Sequence, residues 1–293
     1  MTIAAEIVAD TLSAAGARLT TFKLSYPRFI HAELMTHRAL SRNASSSRAI
    51  PVASMIEGVE ADMAEPCAWG RNRPGMQARQ DLDDTDRKAA QGLWRGAGRD
   101  AVRASRELAA TGVHKQIANR VTEPWQHMSV VASASDWDNF FVLRCHEDAD
   151  PTMAELAWTM AHAYFNARPR PARDGTWCHL PFVTDGERVT LSEALLLEAS
   201  VARCARVSYR NHDGSFPVLD RDVVLASDLR AGGHWSPFEH QGFPLPERGL
   251  RSGNFRGWLQ FRQTFATQCA ERFDYDAEIT RLGVAGRRVP GLR

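Results

Sequence analysis

The chain is poor in lysine, cysteine, net charge and long apolar runs, and each shortage removes a class of protein. Of its 36 basic residues only Lys23, Lys88 and Lys115 are lysines. The rest are arginines, whose rigid, bidentate forks suit phosphate and carboxylate better than a flexible ammonium does. A formal net charge of +1 does not give the basic footprint of a nucleic-acid binder. The five cysteines (Cys67, Cys145, Cys178, Cys204, Cys269) are scattered and contain no CxxC, which excludes a disulfide framework and a cysteine-based zinc site. No stretch approaches the ~20 apolar residues of a membrane span, and Met1 to Gly16 lacks a basic segment followed by an apolar core. We therefore expect no membrane contact, and a cytoplasmic protein. Internal repeats and low-complexity tracts are absent. So are GxGxxG after a strand, GxxxxGK[ST] and GxSxG, leaving dinucleotide-fold, P-loop and serine-hydrolase readings unsupported.

What is present is an ordinary globular composition over 293 residues, 44% hydrophobic and 24% charged, enough for one large domain or two small ones. Ile3, Ile7, Val8 and Leu12 fall on one side of a short helix over residues 2–15, and Thr20 to Ser25 alternates as a strand. Phe29, Ile30, Leu34 and Met35 mark a helix face with Pro27 at its first turn. Helices are expected over 52–64, from the acidic run Asp81–Asp86 to Ala110, and from Val113 to a stop at Pro124. The acidic run suits a helix dipole and needs no functional role. Met128 to Ala134 reads as a buried strand, followed by helices over 136–144 and 152–167. Residues 169–190, rich in Pro, Gly and charge, read as a joint between halves 1–168 and 191–293 of one compact domain. Further helices are expected over 191–205, 220–231 (closed by Gly232-Gly233) and 255–265. Many helices with a few short strands give an α+β class.

Two clusters stand out chemically. Residues 36–48 hold one His, three Arg, four Ser and one Asn directly after an apolar helix. Ser and Asn stop helices by bonding their own backbone, so the cluster brings cations, hydroxyls and N–H groups to one point, a set suited to an anionic ligand. On composition alone a solvated helix end is an equal reading. The second cluster is Gly233 to His240. Ser236 and Glu239 have capping-box spacing with Pro237 at the first helical position, so a well-built helix start accounts for much of it. His234, Glu239 and His240 lack HExxH spacing, and no metal site is assigned. Arg120 and Arg144, near helix ends, are the remaining anion candidates. Gln77 is a polar residue closing a Pro/Gly loop. Ser46 has no His–Asp pair to activate it as a nucleophile.

Together the clusters resemble the flavin-dependent thymidylate synthases (thymidylate synthase complementing proteins). That family carries RHRxxSxNxxSxR; this chain has Thr36-His37-Arg38, Ser41, Asn43, Ser46 and Arg48 at those spacings. A segment like ARVSY…D…L…GHxSPFEH is matched by Ala205 to Tyr209, Asp220, Leu229 and Gly233 to His240. A third, like ELAR…NFLxLR, is matched by Ile117 to Arg120 and Asn139 to Arg144. In the family the SPFEH segment precedes the RHR signature, whereas here it follows. The resemblance is thus to a circularly permuted, phage-like member with its joint at 169–190, permutation being tolerated where ancestral termini lie close at the surface. It spans about two-thirds of the chain, with little match over 1–20 and 241–293.

The resemblance implies a small sheet flanked by long helices, and C5 methylation of a pyrimidine deoxynucleotide, dUMP to dTMP, using methylenetetrahydrofolate, NADPH and FAD. It implies a homotetramer with sites shared between subunits. His37, Arg38, Asn43, Asn139, Ser208, His234, Ser236 and Glu239 would hold FAD; Glu33, Ser46, Ser47, Arg48, Gln77 and Arg120 would bind nucleotide. Arg144 would both bind and polarise the pyrimidine. Thr36 replaces an Arg, Ala44 a Glu, and Glu33 a Gln, while Ser133 and Ser135 stand where Asn and Arg are common. Such changes beside a base shift which base is accepted, because an unpaired buried polar group costs about 1–3 kcal/mol. The same chemistry on dCMP, hydroxymethylation, and a non-catalytic nucleotide-binding relative are the alternatives.

Overall fold

The computed structural model describes residues 3–209 and 215–265; Thr2, at the start of the helix expected over 2–15, and Cys269 lie outside them. The site is carried by a five-stranded sheet of order β3-β4-β2-β1-β5. β1 (Ala4–Leu12) and β2 (Arg18–Pro27) form an antiparallel hairpin, and β4 (His127–Ala134) pairs with β2 along its length. β3 (Ser41–Ala44) is antiparallel to β4, and the short β5 (Arg170–Pro171) is parallel to β1.

β1 corrects the expected helix over 2–15. A spacing of four is shared by helical and strand periods, and here Ile3, Ala5 and Ile7 point to one face as alternate residues. A register shift between Ile7 and Ala9 then turns Val8 to the opposite face. With β2 supplying a full antiparallel partner, the backbone pairs across rather than within the segment.

One face of the sheet builds the main core. Phe22, Leu24 and Tyr26 of β2 and Val130, Ala132 and Ala134 of β4 pack on α1 (His31–Met35), α5 (Asp138–Arg144) and α6 (Pro151–Asn166). α2 (Val52–Ala61) and the long α3 (Asp84–Ala110) lie beside it around Trp94 and Trp125, as the sequence predicts. The Asp83 side chain caps α3 by accepting from the N–H groups of Thr85 and Asp86. The helix expected from Val113 is a single turn, α4 (Lys115–Ala118). It runs into a 3-10 stretch that includes Pro124, so the proline tightens the chain rather than ending it.

The second face meets α8 (Glu193–Arg206), which is packed by α7 (Asp185–Thr190) and α9 (Leu219–Ala231). The 169–190 segment is built into the fold: it adds β5 to the sheet, pairs His179 with Gly242, and supplies α7 with its own Thr184/Glu187 capping box. The helix expected over 255–265 is also corrected. β6 (Gly242–Pro244) pairs with β9 (Trp258–Gln260), β7 (Arg251–Ser252) with β8 (Phe255–Arg256), and a 3-10 turn follows. Gly257 decides this, with φ of +74° and room for no side chain: a Cβ there would lie 2.4 Å from the Cβ of Ala17. Phe255 and Trp258 are thereby buried on Ala17 and Leu19. Among the described residues no helix is long and apolar enough to cross a membrane.

A polar chain runs between the sheet and this second layer. Thr11 Oγ1 bonds His179 Nδ1 at 3.1 Å, and His179 Nε2 bonds Thr21 at 2.7 Å. Thr21 meets Ser133 at 2.6 Å, and Ser133 meets His240 Nδ1 at 2.8 Å. Burial holds both imidazoles down to about 3, with Arg188 contributing at His179. The unfolded chain therefore takes up protons at these histidines below about pH 6.5 while the folded chain does not. Their contribution to stability is complete above that pH and is lost progressively toward pH 3. Each adds a slope of about 1.4 kcal/mol per pH unit in the middle of that range. Urea unfolding between pH 7 and 5 should show it, and His240→Gln should remove close to one proton from the slope.

Candidate functional site

β3 is where the first cluster meets the second. α1 ends at Met35, and the Arg42 guanidinium closes it by donating to the carbonyls of Leu34, Met35 and His37. The chain then turns into β3, setting Asn43 on the sheet edge beside α8. The Asn43 side-chain amide donates to the carbonyls of Cys204 (2.8 Å) and Ala205 (3.1 Å), in the last turn of α8. Its Oδ1 accepts from Ser236 Oγ at 2.9 Å, joining segments 193 residues apart. Ser236 thus serves the tertiary contact. The turn Ser236–Glu239 is 3-10 and has no side-chain cap, which corrects the expected capping box. Just beyond α8, Val207 is left-handed (φ +58°), a strained conformation for a β-branched residue, and it delivers Ser208 to the same place. Asn43→Ala should lower stability by about 1–3 kcal/mol, since it removes the Asn43 donor from the Ala205 carbonyl and the acceptor of Ser236; thermal unfolding measures this.

A cleft of about 660 Å3 opens at this junction. Asn43, Ser46 and Arg48 line it from one half of the chain, and Ser208, His234 and Ser236 from the other. Lys23, Arg206, His127 and the hydroxyls of Ser25, Ser45 and Ser129 complete its polar wall, with no aspartate or glutamate among the lining residues. Arg206 is engaged by Asp222 at 2.7 Å, whereas the Arg48 guanidinium bonds no described residue. Ser25 and Ser129 are register partners on adjacent strands. Their visible signal is the polar alternation Thr21, Lys23, Ser25 opposite Phe22, Leu24, Tyr26, but alternation by itself marks a polar face, not a site.

Arg144, Glu33, Thr36 and His37 form a separate group that does not line the cleft. Arg144 donates from Nε to His37 Nε2 (2.8 Å), from Nη1 to Glu33 Oε2 (2.8 Å) and from Nη2 to Thr36 Oγ1 (3.3 Å). Burial and the charges of Arg144 and Arg42 hold the His37 imidazole below its ordinary range, so its Nε2 is an acceptor. The ring packs edge-on against Phe140. Burial, with Asp150 nearby, raises the Glu33 carboxyl against the opposing pull of Arg144.

The other predicted residues are dispersed. Arg38 and Asn139 are exposed and bond no described residue. Glu239 pairs with Arg262. Ser47 is buried with its carbonyl bonded by Asn119, and Arg120 is exposed beside Glu123. Gln77 lies in the 71–80 loop, outside the cleft. Ser133 belongs to the buried histidine network, and Ser135 accepts from the Arg256 N–H.

Sheet and helices make an α+β protein, with a cleft whose described lining holds basic groups and hydroxyls and no carboxylate. A sequence model of the family described as thymidylate synthase complementing protein matches residues 15–170. The chain belongs to that flavin-dependent family and is a thymidylate-synthase-like methyltransferase. Among solved structures it is similar to a UMP/dUMP methylase PolB from Streptomyces cacaoi bound with 5-Br UMP. There the identity is 19%, the TM-score 0.47, and the match covers 56% of this chain and 88% of that one. The structure of that methylase with 5-Br dUMP matches at 22% identity and TM-score 0.42, over 50% and 65% of the two chains. No curated protein gives a significant match.

Proposed function

We propose that this enzyme methylates C5 of a pyrimidine deoxynucleotide, dUMP giving dTMP, with methylenetetrahydrofolate as carbon donor, NADPH as reductant and FAD as bound cofactor. The observation that carries the reading is the cleft at the Asn43–Ser236 junction, furnished with basic groups and hydroxyls and with no carboxylate among the described residues that line it. At about 660 Å3 it is of the size of sites that hold one small ligand. The unpartnered Arg48 guanidinium with the Ser46 hydroxyl beside it is a donor set for phosphate oxygens. These residues fit a nucleotide-type cofactor or substrate.

In this reading Ser46 and Arg48 grip the substrate phosphate, and Asn43, Ser208, His234 and Ser236 frame the flavin side. FAD, when bound, supplies the hydride and carries the one-carbon unit. Arg144, fixed by Glu33, Thr36 and His37, presents its remaining N–H groups to the pyrimidine carbonyl, where charge develops. Because that group and the cleft are separate within one chain, we assign His37, Arg38, Asn139, Glu239, Gln77, Arg120 and Arg144 to sites completed across subunits of a homotetramer. Residues 169–190 are then the joint of a permuted order, which the Asn43–Ser236 bond makes workable by holding the two halves together.

Mass spectrometry after incubating the FAD-loaded enzyme with NADPH, methylenetetrahydrofolate and either dUMP or dCMP tests the proposal. The expected product is dUMP heavier by one methylene. A gain on dCMP alone moves the substrate to cytosine, and a gain of one further oxygen indicates hydroxymethylation. If both nucleotides bind and neither gains mass, the chain is a non-catalytic relative and the proposal is wrong.

A further inference from the structure

A second cleft, of about 740 Å3, opens where the 169–190 segment crosses the edge of the sheet. It adjoins the N-terminal turn of α8, while the first cleft adjoins the C-terminal turn. The helix has 14 residues, which at 1.5 Å per residue sets the two clefts roughly 20 Å apart. The second is therefore a separate space, and none of the residues assigned above to the methylation lines it.

Its charges are unevenly matched. Two of the three carboxylates on its wall are paired with arginines, Asp10 with Arg18 and Asp185 with Arg170, while Glu193 accepts only from the backbone N–H of Trp177 and keeps its charge. Three further guanidiniums line the cleft with no ion-pair partner among the described residues: Arg168, Arg173 and Arg188. Arg188 is half-buried and donates only to the carbonyls of Cys178 (3.1 Å) and Leu180 (3.3 Å). Its Nε is buried without a hydrogen-bond partner. Arg188 lies near Arg170 and near Asp185 and Glu187, two carboxylates already paired with Arg170 and Arg203, so an anion joining it in the cleft would offset its burial. Trp177, half-buried, supplies a flat apolar wall next to them. We propose that this cleft is a binding site for a small multivalent anion, phosphate- or carboxylate-bearing, gripped by Arg168, Arg173 and Arg188 beside Trp177.

Calorimetric titration at constant ionic strength, with inorganic pyrophosphate and with citrate as probes, tests this. The Arg48→Ala background keeps the first cleft from competing. The expected result is one anion per chain. In that background Arg168→Ala with Arg173→Ala, both at exposed positions, should weaken binding at least tenfold. Saturation by pyrophosphate alone assigns a phosphate ligand, and by citrate alone a carboxylate. The site is refuted if neither anion saturates below roughly 10 mM, an affinity weaker than about 3 kcal/mol, or if the arginine substitutions leave the affinity unchanged.

Discussion

Arg203→Leu is expected to destabilise the chain by about 3–5 kcal/mol, the range for removing one partner of a buried ion pair. The Arg203 side chain is 1% exposed and sits against an equally buried Asp222. Nε donates to Asp222 at 3.0 Å, and Nη1 donates to the Phe182 carbonyl (2.8 Å) and to Glu187 (2.9 Å). Nη2 completes the fork on Glu187 at 2.5 Å. One guanidinium thus ties α8 to α7, to α9 and to the turn at Phe182. Its loss leaves Asp222 with Arg206 alone and in no contact with water that would compensate. Urea unfolding at neutral pH measures the effect, and a loss under about 1 kcal/mol would contradict it. There is a pH signature as well. Burial disfavours ionised Glu187, but Arg203 and Thr184 overcome it and hold the carboxyl below its ordinary range. That contribution is present above the ordinary carboxylate pKa and lost as pH falls through the folded value, so Arg203→Leu should flatten the acid limb.

Arg144→Ala is expected to lower kcat by about 10²–10³-fold, the magnitude for removing one preorganised donor to a developing charge. Three acceptors on α1 and just after it fix the plane of this guanidinium, which remains 18% exposed. Three of its five N–H groups are spent on His37, Glu33 and Thr36, which leaves two for a ligand. Lysine presents one point charge and cannot hold three separated acceptors, so Arg144→Lys should recover little activity. Steady-state kinetics separate the roles: a fall in kcat with KM nearly constant marks a polarising group. A raised KM with kcat unchanged would instead make Arg144 a simple anchor. Circular dichroism of each variant shows whether the fold is kept.

The amphipathic and capped elements were readable in advance because their signals are local. The long α3, with its acidic first turn and Asp83 cap, the buried β4 and the Gly232-Gly233 end of α9 follow from neighbouring residues alone. Two segments depart from their local apolar pattern for one reason. β1 and the 255–265 stretch have apolar spacings compatible with a helix, and β1, β8 and β9 are extended because a neighbouring strand takes their backbone hydrogen bonds. The Ser236–Glu239 spacing is that of a capping box, yet Ser236 turns to Asn43, a residue no local pattern points to. Arg203 and His179 read as ordinary residues of a helix and a loop; only packing shows that both are fully enclosed.

By itself the sequence determined the chemistry on offer: arginines where lysines are scarce, serines and histidines in two spaced clusters, and motifs that resemble one enzyme family. Tertiary structure decided how that chemistry is divided. It brought Asn43, Ser46 and Arg48 to Ser208, His234 and Ser236 in one cleft, and it set Arg144 with Glu33, Thr36 and His37 in another place. The physical reason is that motif spacing is written in local geometry. A cleft is made by surfaces nearly two hundred residues apart, and their meeting depends on which backbone and side-chain partners the whole chain leaves unsatisfied.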